Sequence, residues 1–315
     1  MKLAVKTILA ATDLSRPAFA AARRAALIAH DHGANLELLH VIADSFGSAT
    51  WNEVRAALAP VVTDLRQSVQ DDLDALVQQI EKETGVRARS IVAEGKPFAE
   101  IAARCEAIDA DLVVVGAHGE NLLAPLLGTT AHRVLRVSRK PVLLVKQTPS
   151  VESGAVSTYR HMVIATDFSA DSAYAAQVAR GLFPKTLATL LHAYRVPFEA
   201  KLAGSVTEQT LEHYRLIAAD RAQQELSAFA DTTLSDARRV VRHGAPGLRV
   251  REYAAETGAD LVVTGSEEIA HLQAALLGSV SLDLVTHSTC DVLLARTTAR
   301  PPTVPAPKAR RGDLS

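Results

Sequence analysis

Gly116 and Gly119, in GAHG, follow directly on the apolar run DLVVV (111–115), and Gly128, Thr129 and Thr130 follow eight residues later, in LLGTT. Glycines at a strand exit let the chain turn sharply and let backbone N–H groups approach a ligand with no Cβ in the way. A Gly-Thr-Thr sequence opening a helix offers unpaired N–H groups, the positive end of the helix dipole and two hydroxyls, a combination that favours an anion. The same residues allow a purely architectural reading, in which Gly116 and Gly119 make the turn and a threonine caps the helix. His118, inside the loop, is either a phosphate donor or a plain loop residue. No acid or second histidine at ligand spacing accompanies it, so a zinc site is not expected. No Walker A lysine follows these glycines and no Ser/His/Asp arrangement is legible. Phosphoryl-transfer catalysis lacks its usual machinery, and at most slow ATP hydrolysis is expected.

The elements that must carry this loop follow from periodicity. Short β-branched runs predict strands near 7–12, 36–41, 86–92, 111–115 and 141–145, and alanine-rich segments of helical period predict helices near 16–31, 51–83, 97–108 and 129–138. Runs such as DLVVV and PVLLV are apolar without alternation, as strands covered on both faces must be. Strands separated by helices imply parallel βαβ crossovers. The long second helix, starting near Trp51, is expected to bury Leu65, Val69, Leu73, Leu76, Val77 and Ile80 and to leave Asp64, Gln67, Asp71 and Gln78 wet.

The pattern then repeats. TILAATDLS (7–15) returns as HMVIATDFS (161–169), ELLHVI (37–42) as TLLHAY (189–194), VAEGKP (92–97) as VRHGAP (241–246), and DLVVVG (111–116) as DLVVTG (260–265). LLGTT with PVLLVK (126–146) returns as LLGSV with DVLLAR (276–296), so the chain is a duplication. The fold class is α/β: two tandem doubly wound domains, each a five-stranded parallel sheet with flanking helices. Domain boundaries are expected at 1–147 and 160–298, with a Ser/Thr/Pro/Gly-rich linker over 148–159 and a disordered, proline-rich tail over 299–315. The last strands of the two halves, 141–145 and 291–295, are apolar on both sides and would otherwise be exposed edges. They are expected to meet in an intramolecular pseudo-dimer, which may itself pair further.

Composition narrows the partners. A net charge of -1 and a pI near 6.8 supply no basic field for nucleic acid or a membrane surface. Cys105 and Cys290 form neither a disulfide framework nor a CxxC site. The N-terminal stretch lacks a signal-like apolar core, and no apolar run is long enough to span a bilayer, so a cytoplasmic protein is expected.

TDLS after the first strand, HV ending the second, then GAHG, LLGT and PVLLV together resemble the universal stress protein superfamily, over nearly the whole chain. The resemblance implies a stress-response protein and, in nucleotide-binding members, a G-x-x-G, nine-residue, G-[ST] pattern. It implies ATP, with or without Mg, as the ligand: Asp13 and Val41 would hold adenosine, and Gly116, Gly119, Gly128, Thr129 and Thr130 would surround the phosphates. Protein partners are not specified.

Each half departs from that pattern. Residues 120–127 number eight rather than nine, and in the second half the glycine is replaced by Glu268, beside Glu267, while Asp167, Gly265, Gly278 and Ser279 are kept. A carboxylate near phosphate is the graver fault, because at about 5 Å and an effective dielectric near 20 it opposes each phosphate charge by ~3 kcal/mol. ATP is therefore expected mainly in the N-terminal half, acting through conformation or partner binding. A nucleotide-independent scaffold of the same fold is the alternative, and an enzyme would need a Lys or His beside the phosphates. HDHG (30–33) resembles the HIGH signature of nucleotidylyltransferases. It closes the first helix instead of opening it, so His30 and His32 are expected to stabilise a helix end beside a Gly33 cap. His40 and His192 recur at matching strand ends and are expected to be structural or, failing that, metal ligands.

Overall fold

The computed structural model describes residues 5–43, 59–117, 127–146, 159–202, 204–266 and 277–297. The first repeat runs β1 (Thr7–Thr12), α1 (Arg16–His32), β2 (Asn35–Ala43), α2 (Ala59–Thr84), β3 (Ala88–Gly95), α3 (Pro97–Ala107), β4 (Leu112–Gly116), α4 (Thr129–Val137) and β5 (Val142–Val145). The second runs β6 (His161–Ala165), α5 (Ala170–Leu182), β7 (Leu187–Tyr194), α6 (Glu199–Leu202), α7 (Glu208–Thr233), β8 (Arg238–His243), α8 (Pro246–Thr257), β9 (Leu261–Gly265), α9 (Ser279–His287) and β10 (Asp291–Ala295).

Within each repeat the strands are parallel, and the ten form one sheet in the order β3-β2-β1-β4-β5-β10-β9-β6-β7-β8. The junction is the expected one. β5 and β10 pair antiparallel, Leu143 opposite Leu293, so each strand closes the other's open edge.

The pleat divides the core into layers. Ile8, Ala10, Val114, Leu143, Ile164, Val263 and Leu293 point to the face covered by α1, α2, α5 and α7, where one apolar cluster runs unbroken through both repeats. Leu9, Val113, Leu144 and Leu294 point the other way, under α3 and α4, and Val163 and Val262 under α8 and α9.

Two sequence expectations need correction. Leu73, Leu76, Val77 and Ile80 of α2 are buried and Val69 is partly so, but Leu65 is 51% exposed, because α2 reaches past the sheet at its N-terminal end. Tyr159, taken for the last linker residue, is 3% exposed. Its ring meets Phe183 edge-on at 4.8 Å and its hydroxyl donates to Asp291 Oδ2 at 2.7 Å. Strand β3 lies at Ala88–Gly95, two to three residues later than expected. The predicted start of α2 near Trp51, the remainder of the linker (148–158) and the tail lie outside the described residues.

Polar contacts between the repeats concentrate beside the junction. Lys146, one residue past β5, places Nζ 2.8 Å from the Ser288 carbonyl and 3.4 Å from that of Thr286, at the C-terminus of α9. Arg296, one residue past β10, donates to the carbonyls of Leu135 at 2.5 Å and Arg136 at 2.8 Å, at the C-terminus of α4. Each repeat thus ends in a cation that caps the final helix of the other, where orphan carbonyls and the helix dipole favour positive charge. Asp291, fully buried, also accepts from Lys146 N at 2.8 Å and lies 3.4 Å from Arg24 Nε of α1. His32 of α1 contacts the Leu182 carbonyl of α5 through Nε2 at 2.8 Å.

Candidate functional site

The sequence TD-x-S folds identically at both first-strand exits. Leu14 N–H donates to Thr12 Oγ1 at 3.0 Å, and Ser15 N–H donates to Asp13 Oδ1 at 3.1 Å. Ser15 then caps α1 by accepting from Ala18 N. In the second repeat Phe168 N–H donates to Thr166 Oγ1, Ser169 N–H to Asp167 Oδ1, each at 3.0 Å, and Ser169 caps α5. The turn requires a left-handed residue, and Leu14 (φ 66°) and Phe168 (φ 68°) supply it despite their side chains. Its outcome is an aspartate held at the carboxyl edge of the sheet, exposed in both repeats. For Asp167, burial pushes the carboxyl up, but hydrogen bonds from Ser169 and Ser172 outweigh it and hold the group below the usual carboxylate range.

His40 and His192 brace these turns from the next strand. Their Nδ1 atoms lie 3.0 Å from the Thr12 carbonyl and 2.8 Å from the Thr166 carbonyl, respectively. Burial lowers the pKa of His40, against the opposing pull of that carbonyl and Asp13, which favours the neutral ring. His192 also stacks on Phe168 at 4.2 Å. Both histidines hold backbone, and among the described residues no group of three His, Cys, Asp or Glu side chains is placed to hold a metal.

The parallel register brings the candidate residues to one edge. Thr12 lies opposite His40, so Val41 is the next residue along β2, and Ala11 lies opposite Val115, so Gly116 sits beside Thr12. Gly128 returns to this point, its N–H donating to the Ala117 carbonyl at 2.9 Å. It is the N-cap of α4 with no side-chain cap bond, and Gly278 does the same for α9. This contrasts with α1 and α5, whose first N–H groups are met by Ser15 and Ser169. Thr129 is exposed and Thr130 half-buried in the first turn of α4. Asp13, Val41, Gly116, Gly128, Thr129 and Thr130 therefore share one edge; Gly119, His118, Glu267 and Glu268 lie outside the described residues.

Gly265, the counterpart of Gly116, carries a packing constraint of its own. A Cβ there would sit 2.8 Å from the Asp171 backbone carbon and oxygen and 2.9 Å from Ser172 N. Glycine at this strand exit lets the next helix close onto the sheet, the architectural reading of its position.

Charge separates the two edges, and single-motif reasoning missed it. Around the first edge stand Arg16 at the start of α1, Lys96 at the N-cap of α3 and Arg133 in α4; the matching residues of the second repeat are Ala170, Ala245 and Asp283. Asp171 replaces Pro17. Three cations on one side face two extra carboxylates on the other. Aligning the repeats against each other, position by position, would have revealed it.

At the second edge the described residues enclose a cavity of about 250 Å³ between the ends of β6, β7 and β9 and the starts of α8 and α9. Its lining includes Asp167, Gly265, Gly278 and Ser279. The two thiols take no part in either edge: Cys105 and Cys290 are buried and unpaired with each other, and burial pushes them up to about 11 and about 12. No helix among the described residues is long and apolar enough to cross a membrane.

Comparison with known proteins agrees with this architecture. The chain is 28% identical to a universal stress protein of Methanocaldococcus jannaschii over 165 residues, spanning 48% of this chain and all of that protein. It is 31% identical to a universal stress protein A homologue of Coxiella burnetii over 141 residues, 44% of this chain and 95% of that one. The crystal structure of a universal stress protein from Archaeoglobus fulgidus matches the fold over 92% of this chain and 98% of its own, with a TM-score of 0.60 at 18% identity. The universal stress protein family model matches twice, over residues 4–146 and 158–296, and the chain belongs to that family as a tandem, two-domain member.

Proposed function

We propose that the N-terminal domain binds an adenine nucleotide, ATP, at the carboxyl edge of β1, β2 and β4, and that occupancy acts through conformation or partner binding in a stress response. The observation that carries the reading is the N-terminus of α4. Its only cap is Gly128, it lies beside Gly116, and Arg16 and Lys96 start the helices around the same edge. Unmet N–H groups, the dipole and two nearby cations all favour a polyanion. Asp13, with Oδ1 engaged by Ser15 N–H, is placed to accept from a ribose hydroxyl, and the backbone at Val41 to meet the base. The domain limits we assign are 1–147 and 160–298, with Tyr159 belonging to the second core. Calorimetric titration of the full chain with ATP tests this: one ATP per chain is expected, lost in Asp13→Ala and in Gly119→Glu, and absence of binding to the wild-type chain would overturn it. Glu268→Gly is expected to add binding in the second domain.

A further inference from the structure

The cavity of the second domain has the wrong charge for phosphate and the right lining for something else. Its described walls contain two carboxylates, Asp167 and Asp171, and neither a lysine nor an arginine. Asp171 Oδ1 accepts from the Thr297 hydroxyl, which fixes that carboxylate where the chain leaves β10. Thr264 and Ser281 are 3.1 Å apart at the back, and Thr166 and Ser172 are 3.0 Å apart beside Asp167, so one side is dense in hydroxyls. The other side is apolar, formed by Leu191, Ala193, Pro246 and Val250. In the first domain the matching residues are Val115 and Ala131 for Thr264 and Ser281, and Ala18 for Ser172. The hydroxyl wall is thus a property of the second domain alone.

Volume points the same way. At about 250 Å³ the cavity lies below the ~300–1,000 Å³ usual for drug-sized ligands and cofactors. An apolar wall facing a hydroxyl wall suits a compact molecule with one flat apolar part and one part rich in hydroxyls. Two carboxylates with no compensating cation penalise any negative charge it carries.

We infer that the C-terminal cavity is a second ligand site that takes an uncharged nucleoside and rejects its phosphorylated forms. Hydroxyls of the sugar replace water on Asp167 and the serine and threonine side chains, and the base lies against Pro246 and Val250. The inference does not depend on nucleotide binding in the first domain.

The test uses the full chain with adenosine and AMP as calorimetric probes, and Ser279→Trp to fill the cavity from an exposed position at the first turn of α9. Binding lost on Ser279→Trp defines the C-terminal component, whatever the first domain does. Adenosine is expected to lose one equivalent in that variant, whereas the AMP titration stays unchanged. Asp171→Asn, which removes one charge, is expected to tighten AMP at this site by about tenfold while leaving adenosine within about threefold. An adenosine titration unaffected by Ser279→Trp, or an AMP titration that loses the same component as adenosine, would overturn the inference.

Discussion

Replacing Asp291 with alanine removes a fully buried carboxylate shared by both repeats. Arg24 of the first domain, with 8% of its side chain exposed, lies 3.4 Å away; Tyr159 donates its hydroxyl at 2.7 Å and Lys146 its backbone N–H at 2.8 Å. Removing one partner of a buried ion pair costs ~3–5 kcal/mol, because the remaining charge keeps its desolvation penalty without its counter-charge. Tyr159 and Lys146 also lose their acceptor, at a cost of about 1–3 kcal/mol each where water cannot follow. These terms are not additive, so about 4 kcal/mol is the working figure, a large share of a net stability of ~5–15 kcal/mol. At ~2–4 °C per kcal/mol for a domain of this size, Asp291→Ala should melt about 8–16 °C lower by near-UV circular dichroism or calorimetry. The paired change Arg24→Leu with Asp291→Leu should recover most of the loss, since a buried pair exchanged for apolar groups is close to neutral. A single variant melting within about 2 °C of wild type, or a double variant no better than the single, would refute the reasoning.

Gly265→Ala should destabilise the second domain by ~1–3 kcal/mol in urea, because its Cβ meets the backbone of Asp171 and Ser172, which cannot yield as a side chain would. Arg296→Ala should cost ~1–3 kcal/mol and loosen the junction, seen as faster hydrogen exchange at the C-terminal turn of α4. Lys146 has the opposite balance of terms. Burial lowers its pKa to about 8 from 10.5, outweighing the nearby Cys290 and Asp291, so the unfolded chain binds more protons between those values and stability should rise with pH across that window. Lys146→Met should flatten that rise in pH-dependent melts.

The elements themselves were legible because local signals and burial agree here. Period-2 runs and helical alanine segments placed β1, β4 and α1 within a residue of their observed limits, and the double-sided apolarity of 141–145 and 291–295 identified the joint. The TD-x-S turn could be placed but not its geometry, since nothing in a bulky Leu14 or Phe168 announces a positive φ. Tyr159 was misread because its neighbours are linker-like, and one aromatic residue gives no period. Its partner Asp291 is distant in sequence and reads as a strand-edge charge until folding buries it. The glycine pattern drew attention to single residues, whereas the difference between the two edges is spread over Arg16, Pro17, Lys96 and Arg133 against Ala170, Asp171, Ala245 and Asp283. Long-range charge balance of this kind appears only once the fold brings separate segments to one edge.

The account's central claim is that the N-terminal edge, with its uncapped α4 and surrounding cations, is where nucleotide binds. Photolabelling the full chain with 8-azido-ATP, followed by digestion and peptide mapping, tests it directly. The label should fall on peptides within residues 1–147, compete away with ATP and disappear in Asp13→Ala. Label confined to peptides within 160–298, or ATP-competable label that survives Asp13→Ala unchanged, would contradict it.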